Sequence, residues 1–349
     1  MNAAVAHIRW LEECDASSAS VVGGKCASLG ELISIGMAVP PGFAVTTHAH
    51  DAFLTRHAVR ERETELLQAV DYDAVEEVTK ASERLRDLVE DLELPEATAA
   101  AVRDAYERLS DGDDVPVAVR SSALAEDLST ASFAGQLQTY LWVEGADAVV
   151  EHVRRCWSGF FTPEALSYRH RQGIAAEDAR MSVGVQQMVP ARSAGVLFTL
   201  NPVNGDRSKI VIESTWGVGE ALVSGEVDPD RFTVDKVTLD LLSTVIGNKQ
   251  VEHRPDPSGG GVVVGEIQAD RRSLPSLSGE EAVALARMGK AIERHAGQPQ
   301  DIEWAIDADG EILVLQARAE TVWSQRERPP TVEKKGSALE YVLADLLNR

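Results

Sequence analysis

Apolar residues recur at Ala27, Leu29, Leu32 and Ile33, the spacing of one helix face, before Pro40-Pro41-Gly42 turns the chain into a short strand, Phe43 to Thr46. Just ahead of that helix stands Val22-Gly23-Gly24-Lys25, so the pattern predicts a loop, helix, strand unit with a lysine at the helix start. From about 51 to 110 the chain is charged, with apolar positions at Leu85, Leu88, Val89, Val102, Ala105 and Leu109 and an interruption at Pro95, which predicts a helical insert. Val117-Ala118-Val119 and Gln138 to Val143 read as strands on either side of a loop of small residues, and a helix is expected over about 147–171.

A second β-rich region is expected from 181, with strands at Ser182–Met188, Gly195–Phe198, Lys209–Ser214 and Arg231–Asp235, then a helix near 279–296. The last strands read as a hairpin, Asp301–Ile306 and Glu311–Arg318, turning at Asp309-Gly310. Strict alternation puts Asp301 and Glu303 on one face of the first strand, opposite Ile302, Trp304 and Ile306. In the returning strand it groups Leu313, Leu315 and Ala317 against Ile312, Val314, Gln316 and Arg318, and crosswise pairing brings Gln316 and Arg318 towards the two carboxylates. The expected division is therefore an N-terminal lobe over 1–180, including the helical insert, a C-terminal lobe over 181–323, and a linker with an amphipathic helix over 324–349.

Length and charge narrow the classes. A chain of 349 residues exceeds the roughly 250–300 that one core usually serves, so two or three lobes are expected. The net charge of -22, with no basic run, argues against nucleic acid or anionic membrane as partner, and no stretch is apolar enough to span a bilayer. Cys14, Cys26 and Cys156 are odd in number and widely spaced, as expected in a reducing, cytoplasmic setting. An anionic ligand would have to be held by a few aimed cations.

Lys25 follows two glycines without the spacing of a P-loop; it suits a phosphate as well as it suits an ordinary helix start. Arg120 leaves an apolar strand into Ser121-Ser122, and either clamps phosphate or pairs structurally with Glu126 or Asp127. Asp301, Glu303 and Gln316 offer hard oxygen ligands of the kind Mg²⁺ takes, beside the Arg318 cation, which suits a nucleotide triphosphate. Glu213 ends a strand, with a metal, ribose or structural role equally open. Trp216-Gly217-Val218-Gly219 lacks the third glycine of a dinucleotide fingerprint, and the histidines show no metal spacing.

Read together, VGGKCASLGELISIGMAVPPGFAVTT, VAVRSSALAEDLSTASFAGQLQTYLWV, VGVQQMV, GVLFTLNP, WGVGEALVSGEVDPDRF, DIEW and LQAR resemble, in order, the N-terminal nucleotide-binding domain shared by phosphoenolpyruvate synthase and pyruvate phosphate dikinase. The resemblance covers about residues 20 to 323 and implies an α+β ATP-grasp fold with nucleotide between lobes. By matching motif it implies that Lys25, Arg120 and Arg318 are catalytic and bind phosphate, with Ser132, Gly135 and Thr139 in and after the covering loop. It further implies that Gln186 and Val189 form the adenine-side hinge, and that Glu303, Gln316 and Asp301 serve Mg²⁺.

In that family the β-phosphoryl of ATP passes to a histidine of a separate swivelling domain, leaving AMP and phosphate. None of the eight histidines here stands in the corresponding motif. The resemblance then implies a dikinase-type transferase whose carrier histidine lies on a partner subunit, as in phenylphosphate synthase-type enzymes, with a phenol or alkylphenol as the small organic acceptor. Alternatives are pyruvate as acceptor, a self-sufficient ligase producing ADP, or a non-catalytic nucleotide-binding subunit. The terminal amphipathic segment is an expected docking element for the partner.

Overall fold

The structure, a computed structural model, describes residues 6–123, 139–176, 180–256 and 259–323. The covering loop with Ser132 and Gly135, and the terminal segment from 324, lie outside the described residues. The chain runs β1 (Ile8–Trp10), α1 (Ala19–Ser34), β2 (Gly42–Val45), four helices α2 (Thr47–Arg56), α3 (Val59–Leu67), α4 (Val75–Glu90) and α5 (Glu96–Ser110), then β3 (Val117–Ala123), β4 (Thr139–Val143), α6 (Ala146–Ser158), α7 (Pro163–Gln172) and β5 (Met181–Gln187). Among the described residues these strands form one antiparallel sheet in the order β1-β2-β5-β3-β4. Its outer face carries Phe43, Val45, Val117, Val119, Val183 and Val185, buried beneath Leu85, Val89, Val102, Tyr106, Val153 and Trp157 of the helices.

Two expectations are corrected in this half. The strand at 181–187 does not open the second lobe; it is the middle strand of the first sheet, paired with β2 and β3. The chain crosses to the second sheet after Gln187, and an alternating strand cannot declare from its own pattern which sheet it joins. The single helix expected over 147–171 is two, because Thr162 caps a new helix by accepting from the Ala165 amide at 3.3 Å and Pro163 fits its first turn.

The second half runs β6 (Ser193–Phe198), β7 (Lys209–Trp216), the single turn α8 (Glu220–Val223), β8 (Asp230–Asp235), β9 (Leu241–Val245), β10 (Val251–Pro255), β11 (Val262–Glu266), α9 (Ala269–Arg272), α10 (Gly279–Ala296), β12 (Gln300–Ile306) and β13 (Ile312–Ala319). The main sheet has the order β13-β12-β6-β7-β8-β9, with β10 and β11 as a separate hairpin. Leu197, Ile212, Phe232, Ile302 and Trp304 point to the face covered by α10, where they meet Ala282, Leu285 and Ile292. Ser278 caps α10 in a reciprocal box with Glu281.

α1 joins the two halves. Its Leu29 and Leu32 share an apolar cluster with residues of the second sheet. The Ser28 hydroxyl donates to the Ala317 carbonyl at 2.8 Å, and just beyond the helix the Val314 amide donates to the Ala38 carbonyl, also at 2.8 Å. One wall of the space between the sheets is thus set by a helix bonded to the other wall.

Candidate functional site

The inner side of the first sheet is polar where its outer side is apolar. Alternation along β3 sends Val117, Val119 and Ser121 outward and leaves Ala118, Arg120 and Ser122 inward; β5 contributes Ser182, Gly184 and Gln186 opposite them. Gly184, paired with Arg120, leaves just enough room for the Cys26 thiol, since a Cβ there would lie 3.0 Å from Sγ. α1 runs over this face with a break at Gly23, whose φ of 72° is left-handed. A Cβ at Gly23 would sit 2.3 Å from the Ser122 carbonyl oxygen, so the helix start approaches β3 only because this residue is glycine. The approach delivers Lys25, whose Nζ donates to the Ser121 carbonyl at 3.2 Å, to the strand that carries Arg120.

The opposing wall comes from the terminal hairpin. β12 and β13 pair Glu303 with Gln316 and Asp301 with Arg318, so the expected crosswise pairing is found. Arg318 forks onto Asp301 through Nε at 2.9 Å and Nη2 at 2.7 Å. Burial raises the Asp301 carboxyl above the ordinary range, against the opposing pull of Arg318. The expected grouping of Leu313 and Leu315 with Ala317 is overturned by a bulge between Glu303 and Trp304. Trp304 pairs with Val314, so Leu315 is the extra residue and the alternation changes phase there. Ala317 and Val314 lie in the core with Ile302 and Trp304, whereas Leu313 and Leu315 pack with Val189, Ala194 and Ala305 on the side of Gln316.

The two walls meet. A cavity open to solvent, with about 340 Å³ of empty space counting the solvent at its mouth, is lined by Lys25, Cys26, Leu29, Arg120, Ser121, Ser122, Gln186, Leu315 and Gln316, among others, and so draws on both sheets and on α1. Arg120 Nη1 lies 3.7 Å from Oε2 of Glu303 on the second sheet, both side chains being partly exposed. A pair at that distance and exposure is worth on the order of 1 kcal/mol or less, so little is lost when either group takes another charged partner. Of the alternatives for Arg120, pairing with Glu126 or Asp127 concerns residues outside the described ones; its partner among the described residues is Glu303. Gln186 is buried, with Nε2 3.4 Å from the Pro40 carbonyl, and Thr139 pairs with Arg120 at the edge of the first sheet.

Cross-strand registers place Gln316, Glu303, Val196, Glu213 and Arg231 in one row across the second sheet. Glu213, whose role the sequence left open, is held there by Arg231 at 2.6 and 2.9 Å. The apolar lining from Leu29 and Leu315, and the thiol of Cys26, are what residue-level reading missed. For Leu29 the signal was its place on the apolar face of α1, whereas Leu315 depends on the bulge.

Two α+β lobes facing a cleft, with aimed cations on one wall and carboxylate and amide oxygens on the other, define an ATP-grasp domain. Residues 19–338 match the family described as pyruvate phosphate dikinase, AMP/ATP-binding domain, and the chain belongs to that family. The probable phosphoenolpyruvate synthase of Staphylothermus marinus is 40% identical over 94% of this chain and 43% of its own length. A rifampicin phosphotransferase of Streptomyces sp. is 42% identical over 92% of this chain and 37% of its own length. The chain therefore spans less than half the length of either relative. Among solved structures, D-alanyl-alanine synthetase A from Vibrio cholerae aligns with 77% of this chain and 63% of its own at 10% identity and a TM-score of 0.27, too faint a likeness to carry an argument. No helix among the described residues is long and apolar enough to cross a membrane.

Proposed function

We propose that the cleft binds ATP with Mg²⁺ and that the chain is the nucleotide-binding part of a dikinase-type phosphotransferase. In this reading ATP is cleaved to AMP and phosphate, and the β-phosphoryl group passes to a histidine on a partner subunit and then to a small organic acceptor. The observation that carries the reading is the convergence of Lys25, Arg120 and Gln316 on one cavity from segments as distant as residues 25 and 316, with Glu303 paired to Gln316 and 3.7 Å from Arg120. Lys25 and Arg120 take phosphate oxygens, the residues at Gln186 and Val189 flank the adenine, and Ser132, Gly135 and Thr139 are assigned to the phosphates by the family resemblance alone.

The donor set fits Mg²⁺. Glu303 and Gln316 are direct cross-strand neighbours and offer hard oxygens. Mg²⁺ characteristically takes one or two protein oxygens and completes its shell with phosphates and water. When bound it would neutralise charge on the phosphates. Asp301 orients Arg318, whose guanidinium stabilises charge developing on the transferring group. The protein's contribution is positioning and electrostatics, as phosphoryl transfer generally requires.

A phenol or alkylphenol is the proposed acceptor, with a cytoplasmic setting in keeping with the buried thiols of Cys14, Cys26 and Cys156. Pyruvate is a second reading, favoured by the names of relatives such as that of Staphylothermus marinus. One experiment addresses the nucleotide chemistry and the carrier histidine together: incubation of the chain with [β-³²P]ATP, Mg²⁺ and a lysate of its host. Label that enters a second polypeptide, is lost in acid and survives base, with AMP as co-product, is the expected result. ADP formation on a carboxylic acid with no labelled protein would instead make it a ligase.

A further inference from the structure

The first sheet contains a buried hydroxyl that the nucleotide reading does not use. Ser182, the second residue of β5, is fully buried and sits directly opposite Ser122 of β3. Its Oγ donates to the Val22 carbonyl and lies 3.2 Å from the Ser122 carbonyl, so one O–H is shared between α1 and β3. The geometry explains the need. The non-helical residue at Gly23 interrupts α1, and carbonyls at such an interruption turn to donors outside the helix. On its other side the same break is pressed onto Ser122, where a Cβ at Gly23 would lie 2.2 Å from the Ser122 hydroxyl oxygen.

We propose that Ser182 is a positioning residue, which fixes the break in α1 against β3 and thereby sets the spacing between the Lys25 ammonium and the Arg120 guanidinium. The connection is short on both sides. Lys25 follows Val22 by three residues and already reaches the Ser121 carbonyl, and Arg120 precedes Ser122 by two. The links from the Ser182 hydroxyl to the backbone of α1 and β3 are single hydrogen bonds, so a slip of the helix start displaces the Lys25 backbone relative to that of Arg120. Catalytic geometry is sensitive on this scale, a 1 Å displacement being able to cost about 100-fold. The spacing matters for a ligand that must satisfy both cations at once. A triphosphate must; a single phosphate can follow either cation.

The inference rests on the nucleotide reading of the cleft, and its test separates the two. Calorimetric titration of the full chain with ATP and with AMP, each with Mg²⁺, gives the ratio of the two affinities. Ser182→Ala is expected to weaken ATP about tenfold while leaving AMP unchanged. Ser182→Cys fills the site with a somewhat larger atom and keeps only a weak donor, and is expected to shift the ratio in the same direction by less; it also serves if the alanine variant does not fold. A purely structural hydroxyl predicts a lower melting temperature with the affinity ratio intact, and that result overturns the proposal. Wild-type protein that binds ATP no better than AMP would refute the cleft reading itself, whatever Ser182 does.

Discussion

The two walls of the cleft are made in opposite ways. The hairpin wall is local: Asp301, Glu303, Gln316 and Arg318 fall within eighteen residues, and strand register alone sets Glu303 beside Gln316 and Asp301 beside Arg318. The cation wall is assembled from distant segments, with Lys25 on α1, Arg120 on β3 and the supporting Ser182 on β5. Local construction makes the carboxylate wall depend on the phase of two strands; remote construction makes the cation wall depend on close backbone approaches at glycine and on buried hydroxyls. The walls should therefore fail differently when perturbed.

The largest effect should come from removing the groups that face each other. Arg120→Ala and Glu303→Ala are each expected to lower β-phosphoryl transfer about 100- to 1,000-fold, the range seen when one preorganised electrostatic group is lost. Both side chains are partly exposed in the cleft, so circular dichroism and melting should change little. The variants should separate when metal is withdrawn. Arg120→Ala weakens ATP with or without Mg²⁺, whereas Glu303→Ala weakens only the Mg²⁺ complex and, by releasing Arg120, leaves metal-free ATP bound as well or better. Identical metal dependence in the two variants would remove the distinction between the walls.

Next in size is a test of the bulge. Deleting Leu315 removes the extra residue of the bulge and joins Val314 to Gln316 opposite the adjacent pair Trp304 and Glu303, so the ladder becomes regular and every paired residue keeps its face. What is lost is the bend that the bulge puts into β13 beside Glu303 and Gln316, together with the Leu315 side chain that lines the cleft. The deletion should change urea unfolding by about 2 kcal/mol or less but weaken ATP binding about 100-fold, by displacing the carboxylate and amide pair. Wild-type stability and affinity in the deletion variant would show that the bulge is incidental.

The same contrast decides what could be read from the sequence. The hairpin was legible, turn included, because pairing partners lie close in the chain and Gly310, with φ of 88°, occupies the turn. Its bulge was not, since an alternating pattern assumes an unbroken phase and Leu313, Leu315 and Ala317 are all apolar. Lys25 and Arg120 were visible as candidates, but their common strand was not, because the contact spans 96 residues. β5 was legible as a strand and misplaced as to sheet, since its partners lie near residues 44 and 120. The break between α6 and α7 was written in Thr162-Pro163 and passed over in favour of a longer helix.

The smallest expected effect belongs to the cation wall and appears only in acid. His50 of α2 is fully buried against Trp157 and Phe160, and its Nδ1 accepts from the Met181 amide at 3.2 Å, at the start of the strand that carries Ser182. Burial lowers its pKa from 6.5 to about 3; Asp51 pulls upward, while Arg60 and Arg169 add to the lowering. The folded protein thus keeps the ring neutral at pH values where the unfolded chain protonates it, so this contribution to stability is present above pH 6.5 and is lost as pH falls from 6.5 towards 3. Between pH 7 and pH 5 the loss is about 2 kcal/mol, from 1.36 kcal/mol per unit below the unfolded value. His50→Asn keeps an acceptor near the position of Nδ1 and cannot ionise. It should unfold more easily at pH 7, through the space opened beside Trp157, yet lose less stability on acidification. Parallel stability profiles for the two proteins between pH 7 and pH 5 would show that His50 is not the acid-sensitive point, and would free the cation wall of a liability that the hairpin wall does not share.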